Sequence, residues 1–151
     1  MDDKYFMQKA LLFAESSVKS GNEPFGAVLV KNGEIVACGE NKINTENDPT
    51  YHAEMGLIRD FIRKTGVKTL ADYTLYTTCE PCFMCAGAMV WAKLKRLVYG
   101  ASNVDLRAIC GKKGYKCAET VFENSSHSPA VTAGVLRDEC VKLLKDYFSE
   151  R

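Results

Sequence analysis

Two short segments limit what this chain can fold into more than any other feature. They are His52-Ala53-Glu54, after a polar loop, and Pro81-Cys82-Phe83-Met84-Cys85, after an apolar run. Each is commonplace alone. Both stand at helix starts, so a fold that uses them together must bring two helix N-termini, thirty residues apart in sequence, to one point. Cys82 and Cys85 share one face of a helical turn, and both sulfurs can reach a single ion. A helix N-terminus lowers thiol pKa through its unpaired N–H groups, which makes thiolates available near neutral pH. Thiolate together with imidazole selects zinc. The expectation is one zinc ion per chain held by His52, Cys82 and Cys85, with the fourth tetrahedral position open to water as in catalytic sites. Glu54, two residues after His52, is the candidate catalytic acid and base.

Two rival readings use the same residues. Cys79, Cys82 and Cys85 are evenly spaced and could join His52 in a closed structural site, which would make the chain a zinc-stabilised interaction module. The Cys-x-x-Cys pair could also be a redox couple, although nothing else in the chain supports that.

Around these segments, strands alternate with helices. Met7, Ala10, Leu11, Ala14 and Val18 mark one face of a first helix that Gly21 ends. Phe25 to Val30 and Glu34 to Cys38 are two strands joined by Asn32-Gly33, a strong hairpin signal. A loop from Asn41 to Thr50 leads to a helix that begins near His52 and runs toward Gly66. Tyr73 to Thr77 is a strand, and Pro81 suits the first turn of a helix from Cys82 to about Ala92. Arg96 to Tyr99 is another strand. From Ala101 to Pro129 the periodicity fades, with a short strand at Ala130 to Thr132 beyond it. Leu136, Cys140, Leu143, Leu144 and Tyr147 define a final helix. The alternation predicts an α/β chain whose mixed sheet is covered on both faces, in a single domain over residues 1–151.

Composition removes several function classes. With 151 residues, 46% of them hydrophobic, the chain can bury one core without staples. A net charge of +1 offers no broad basic field for nucleic acid, and the clusters Lys93, Lys95, Arg96 and Lys112, Lys113, Lys116 read as a solvated face. Seven cysteines, an odd number crowded around Cys79 to Cys85, fit a reducing compartment. The first residues carry no leader-like or membrane-spanning run, so the expected location is the cytoplasm, with no membrane partner. Cys38, Cys110, Cys117 and Cys140 are expected to be buried or half-buried, Trp91 to pack in the core, and His127 to be solvated.

The signature H-x-E…P-C-x-x-C is that of zinc-dependent base deaminases. The chain resembles the cytidine deaminase-like superfamily, and the resemblance extends to Pro24-Phe25-Gly26-Ala27-Val28, Asn41, Asn47-Asp48-Pro49-Thr50 and Gly87-Ala88. It covers roughly residues 6–101 well and the remainder loosely. It implies a three-layer α/β/α fold with a five-stranded mixed sheet, a homodimer, and hydrolytic loss of an exocyclic amine as ammonia. Matched residue by residue, His52, Cys82 and Cys85 correspond to the zinc ligands and Glu54 to the proton shuttle. Asn41 corresponds to a substrate hydrogen-bonding residue and Phe25 to a side chain stacked near the base. Backbone N–H groups at Ala53 and Cys82 would orient the base. Cys79-Glu80-Pro81-Cys82 and Trp91-Ala92 look like guanine deaminases, whereas Gly134 to Phe148 looks more like tRNA-adenosine deaminases. The implied substrate is a free nucleobase or nucleoside, guanine or a related aminopurine first. A cytosine-type base and tRNA adenosine stand as alternatives.

Overall fold

The computed structural model of the chain describes residues 2–149. The order of elements is α1 (Asp3–Lys19), β1 (Gly26–Lys31), β2 (Glu34–Glu40), α2 (Ala53–Thr65), β3 (Thr74–Cys79), α3 (Phe83–Trp91), β4 (Arg96–Ala101), α4 (Asn103–Ile109), α5 (Cys117–Glu123), β5 (Ala130–Ala133) and α6 (Arg137–Phe148). The strands form a five-stranded sheet in the order β2-β1-β3-β4-β5. β1 pairs antiparallel with β2 and β3, while β3–β4 and β4–β5 are parallel. This is the expected α/β/α architecture with a mixed sheet. No helix among the described residues is long and apolar enough to cross a membrane.

Side chains alternate across a strand, and here each central strand feeds two cores. Ala27, Leu29, Leu75 and Leu97 point to one face and pack with Leu57 and Ile58 of α2, Met89 of α3 and Phe122 of α5. Val28, Val30, Tyr76 and Val98 point to the other and pack with Phe6, Met7 and Ala10 of α1 and Leu144 of α6. Burial on both faces explains why β1 is a continuous apolar run in the sequence. The hairpin turn has positive φ at both Asn32 (53°) and Gly33 (76°), the left-handed pair that suits the twist of the two strands.

Several expectations are corrected. Residues 101–129 are not irregular: α4 and α5 lie there. Each has seven residues, and α4 has no fully buried side chain, so neither leaves a long apolar period to read. A local signal did exist, since Ser102 and Asp105 form a reciprocal capping box at the start of α4. Pro81 lies outside the helix, because Cys82 is the extended N-cap of α3. Trp91 is 88% exposed: α3 turns Cys85, Ala86 and Met89 inward, and Trp91, two residues past Met89, projects from the opposite side. Cys38 and Cys110 are exposed, while Cys117 and Cys140 are buried as expected. His127 is half-buried, with Nε2 2.7 Å from the carbonyl oxygen of Leu94 in the connection between α3 and β4.

A polar tie spans the sheet beneath α1. Arg96 donates two hydrogen bonds to Asp3, at 2.9 and 2.7 Å, and the Tyr76 hydroxyl donates a third at 2.7 Å. Arg96 also donates to the Thr132 hydroxyl at 3.0 Å, so the Asp3–Arg96 pair joins α1, β3, β4 and β5. The hydrogen bond from Arg96 holds the Asp3 pKa below its ordinary value of 3.8. The depressed pKa means that the tie stabilises the fold above pH 3.8, and that this contribution fades as pH falls through the lower folded value. Charge-assisted hydrogen bonds contribute roughly 1.5–3 kcal/mol when shielded. Both side chains are about a third exposed, so the expected effect is reduced. Asp3→Asn is expected to lower unfolding free energy by about 1 kcal/mol at pH 7. In urea melts at pH 7 and at a pH below 3.8 the difference from the parent should be smaller at the lower pH. An equal loss at both would assign the effect to packing instead of charge.

Candidate active site

The helix starts meet because of what lies beneath them. The first turn of α2 sits directly on β2 at Gly39, where a methyl group would come within 2.5 Å of the Ala53 carbonyl oxygen. Glycine is required there for close approach. His52 is the N-cap of α2, at the end of a loop whose shape is set locally. Asp48 accepts from the backbone and hydroxyl of Thr50, at 2.9 and 2.7 Å, and Lys42 N–H donates to the Tyr51 carbonyl at 3.0 Å. Cys82 is the N-cap of α3, and Cys85 lies in its first turn.

The consequence is a three-residue cluster. His52 Nδ1 lies 3.6 Å from Cys82 Sγ and 3.7 Å from Cys85 Sγ, and the three ligand atoms all lie within 4.8 Å of one another. Bond lengths of about 2.3 Å to sulfur and 2.0–2.1 Å to nitrogen at a tetrahedral angle put the S···N edge near ~3.6 Å. The donor set fits zinc in both chemistry and spacing. Among the described residues this is the cluster of three or more metal-ligating side chains, and Cys79 does not belong to it. Cys79 ends β3, is buried, and has its thiol pKa pushed well up by burial. Cys82 is the opposite: its pKa is pushed down to about 4, chiefly by the hydrogen bond from Cys85, with His52 adding to the effect. The His52 pKa is raised in turn, first by its contact with Cys82. The Cys85 thiol is pushed up, first because it donates to Cys82 and then by burial.

Glu54, in the first turn of α2, is buried beside this cluster. Desolvation is the largest influence on it and raises its pKa from 4.5 to about 7. A carboxyl poised near neutrality can both take up and release a proton at the working pH.

His52 and Cys82 of the cluster line a pocket of about 300 Å³ together with Glu54. Phe25 and buried Asn41 line it, as the sequence expectation had them. The backbone N–H of Asn41 is bonded to the Phe25 carbonyl at 3.1 Å, and its Oδ1 accepts from Ile43 N–H at 3.1 Å. Ala53 is not among the lining residues, and its methyl group is buried in the core behind the floor. A larger groove of about 430 Å³ over β2 and α2 contains neither the cluster nor Glu54.

Much of the wall was missed from the sequence. Phe148, at the end of α6, faces Phe25 with ring centroids 6.3 Å apart. Leu106 and Arg107 of α4, with Cys110 and Lys112 after it, also line the pocket. Glu23 also contributes. These residues come from distant segments and form no local motif. The readable signal is the basic cluster at Lys112: it is exposed, as a solvated face requires, and it also borders the pocket.

Comparisons with known proteins agree with this geometry. Residues 1–101 match the cytidine and deoxycytidylate deaminase zinc-binding region. The chain is 45% identical over 106 residues to a guanine deaminase of Bacillus subtilis, covering 70% of this chain and 68% of that one. It is 37% identical over 153 residues to a tRNA-specific adenosine deaminase of the same organism, covering 98% and 89%. The structure of a guanine deaminase from Nitrosomonas europaea superposes with a TM-score of 0.83 at 25% identity, over 97% of this chain and 84% of that one.

Zinc content tests the cluster directly. Purified protein is expected to carry one zinc per chain by elemental analysis, and Cys82→Ser or Cys85→Ala to lose it. Cys79→Ser should retain the metal. Its loss in that variant would restore the closed four-ligand reading.

Proposed function

The chain belongs to the cytidine and deoxycytidylate deaminase family, whose zinc-binding region it carries, and from that premise we propose that it hydrolytically deaminates a free nucleobase or nucleoside, an aminopurine such as guanine first. The observation that carries this reading is the buried Glu54 carboxyl, which lines a pocket of about 300 Å³ together with His52 and Cys82 of the His-Cys-Cys cluster. That volume is at the lower end of small-molecule sites and suits a base better than a large substrate.

Zinc held by His52, Cys82 and Cys85 supplies, when bound, a Lewis acid that makes water nucleophilic near neutral pH. Glu54 would move one proton of the attacking water to the ring nitrogen beside the amine-bearing carbon, and then the second, from the hydroxyl left on that carbon, to the amine; the C–N bond breaks, ammonia leaves and a carbonyl remains on the ring. Phe25 and Phe148 provide apolar walls for the ring, and Asn41 presents its side-chain amide to the ring edge. The backbone N–H of Cys82, a residue that lines the pocket, orients the reacting side. The apolar walls exclude bulk water, which strengthens every polar contact at the floor.

A second reading, deamination of adenosine in tRNA, has its own support. The match to tRNA-specific adenosine deaminases runs over nearly the whole chain, and Arg107 and Lys112 put two cations beside the pocket, where a phosphate could be held. The free-base reading is favoured by the near-neutral charge and by the higher identity to a guanine deaminase.

The test is ammonia release from guanine, guanosine, cytosine and adenine, with inosine formation in a tRNA anticodon stem-loop measured in parallel. Guanine turnover should dominate. Glu54→Gln should keep its zinc and lose at least ~10³–10⁴-fold in kcat, because one carboxylate serves more than one proton transfer. A loss under about tenfold would remove Glu54 from the proton-transfer role. The family resemblance also leads us to a homodimer, for which the exposed Trp91 at the end of α3 is a contact candidate. Light scattering at micromolar concentration should return twice the 16.8 kDa chain mass, and a fully active monomer would refute it.

A further inference from the structure

Glu23 is unlike the other acidic groups of the pocket. Glu54 is buried beside the metal cluster, and Glu80 is spent on backbone N–H groups: it accepts from Asn103 and Ala118, both at 3.0 Å. The Glu23 carboxylate lines the pocket, yet among the described residues it accepts no hydrogen bond and joins no ion pair.

Its backbone, by contrast, is held on every side. The hydroxyl of buried Ser17 lies 2.6 Å from the Glu23 carbonyl oxygen, and Phe25 N–H donates to the same oxygen at 2.9 Å. The preceding residue, Asn22, is buried and accepts from the N–H groups of Asn44 and Thr45 at 3.0 and 3.1 Å. The following segment is tied to Asn41 through Phe25. A rigid backbone thus presents an acceptor-only group to a small pocket and supplies it with no protein donor. A half-buried carboxylate in such a position is stabilised by a ligand that brings N–H donors, and it opposes one that brings lone pairs.

We propose that Glu23 is a specificity-determining residue whose carboxylate accepts N–H groups from the edge of the bound base, selecting a 2-amino-6-oxopurine over adenine. This rests on the reading of the pocket as a nucleobase site. In guanine the ring nitrogen next to the amine-bearing carbon carries a hydrogen and can donate to Glu23. In adenine both ring nitrogens of the six-membered ring are acceptors and would face the carboxylate with lone pairs. Sites built around a hydrogen bond reject ligands that cannot make it, because the protein group is then left unpaired.

The experiment measures guanine in two ways with the zinc-loaded full chain. Turnover is followed by ammonia release, and binding by calorimetry in the Glu54→Gln background, where the base is held without being consumed. Glu23→Gln and Glu23→Ala should each weaken guanine binding and raise its KM by ~10–100-fold, with a smaller change in kcat, since the contact exists in both ground and transition states. The parent should prefer guanine over 1-methylguanine, which lacks the donor, and the preference should narrow in Glu23→Ala. Guanine binding and turnover within about twofold of the parent in both folded variants would overturn the assignment while leaving the deaminase reading intact. A loss confined to guanosine, with guanine unaffected, would give the carboxylate to ribose hydroxyls and overturn it too. If the parent neither binds nor deaminates guanine but forms inosine in the RNA stem-loop, the free-base reading fails and the assignment falls with it.

Discussion

The approach of His52 Nδ1 to the two sulfurs, at 3.6 and 3.7 Å, is the constraint around which the rest is arranged, because those atoms belong to separate helices that only the sheet can bring together. α2 and α3 pack on the same face of the sheet, as their shared core shows. A strand–helix–strand crossover between parallel neighbours is right-handed, so α3, linking β3 to β4, has one face open to it. α5, between β4 and β5, lies on that same face. The pocket opens at the carboxyl end of β3, where the chain leaves the sheet at Cys79 and enters α3 three residues later at Cys82. Open α/β sheets bind ligands at this end because helix N-termini and their free N–H groups gather there.

Glu80 links that floor to the wall. It lies between the last residue of β3 and the turn that carries Cys82, and its two oxygens accept from the first turns of α4 and α5. One carboxylate therefore satisfies backbone groups of two short helices. The Cys117 thiol adds a donor, at 3.4 Å to Glu80 and 3.1 Å to the Pro81 carbonyl. The result is mechanical coupling: the segment that brings Leu106 and Arg107 to the pocket is pinned one residue from the metal-binding turn. Short helices α4 and α5 are held by this polar anchor as well as by the core contacts of Leu106, Ile109, Ala118 and Phe122.

Two buried or half-buried carboxylates at the same pocket divide the electrostatic work. Glu54 is desolvated, so its proton affinity rises into the range needed for repeated transfer. Glu23 is partly exposed on a rigid turn and keeps an open acceptor. Their different surroundings follow from position: Glu54 lies inside the first turn of a packed helix, whereas Glu23 lies in the connection between α1 and β1.

The sequence by itself determined the elements with strong local grammar. The amphipathic face of α1, the Asn32-Gly33 turn and the two-sided apolar run of β1 all follow from period and turn chemistry acting over a few residues. His52, Glu54, Cys82 and Cys85 were legible for the same reason, since metal ligation imposes spacing within a single turn. Only the tertiary structure decided that Cys79, evenly spaced with the other two cysteines, is withheld from the cluster, because strand end and helix face point different ways. It also decided that Trp91 faces outward and that Phe148 meets Phe25 across 123 residues of sequence. A pocket wall is an agreement among remote segments about where their side chains end. No periodicity within any one of them records it, because the contacts that define the wall exist only once the sheet order has brought those segments together.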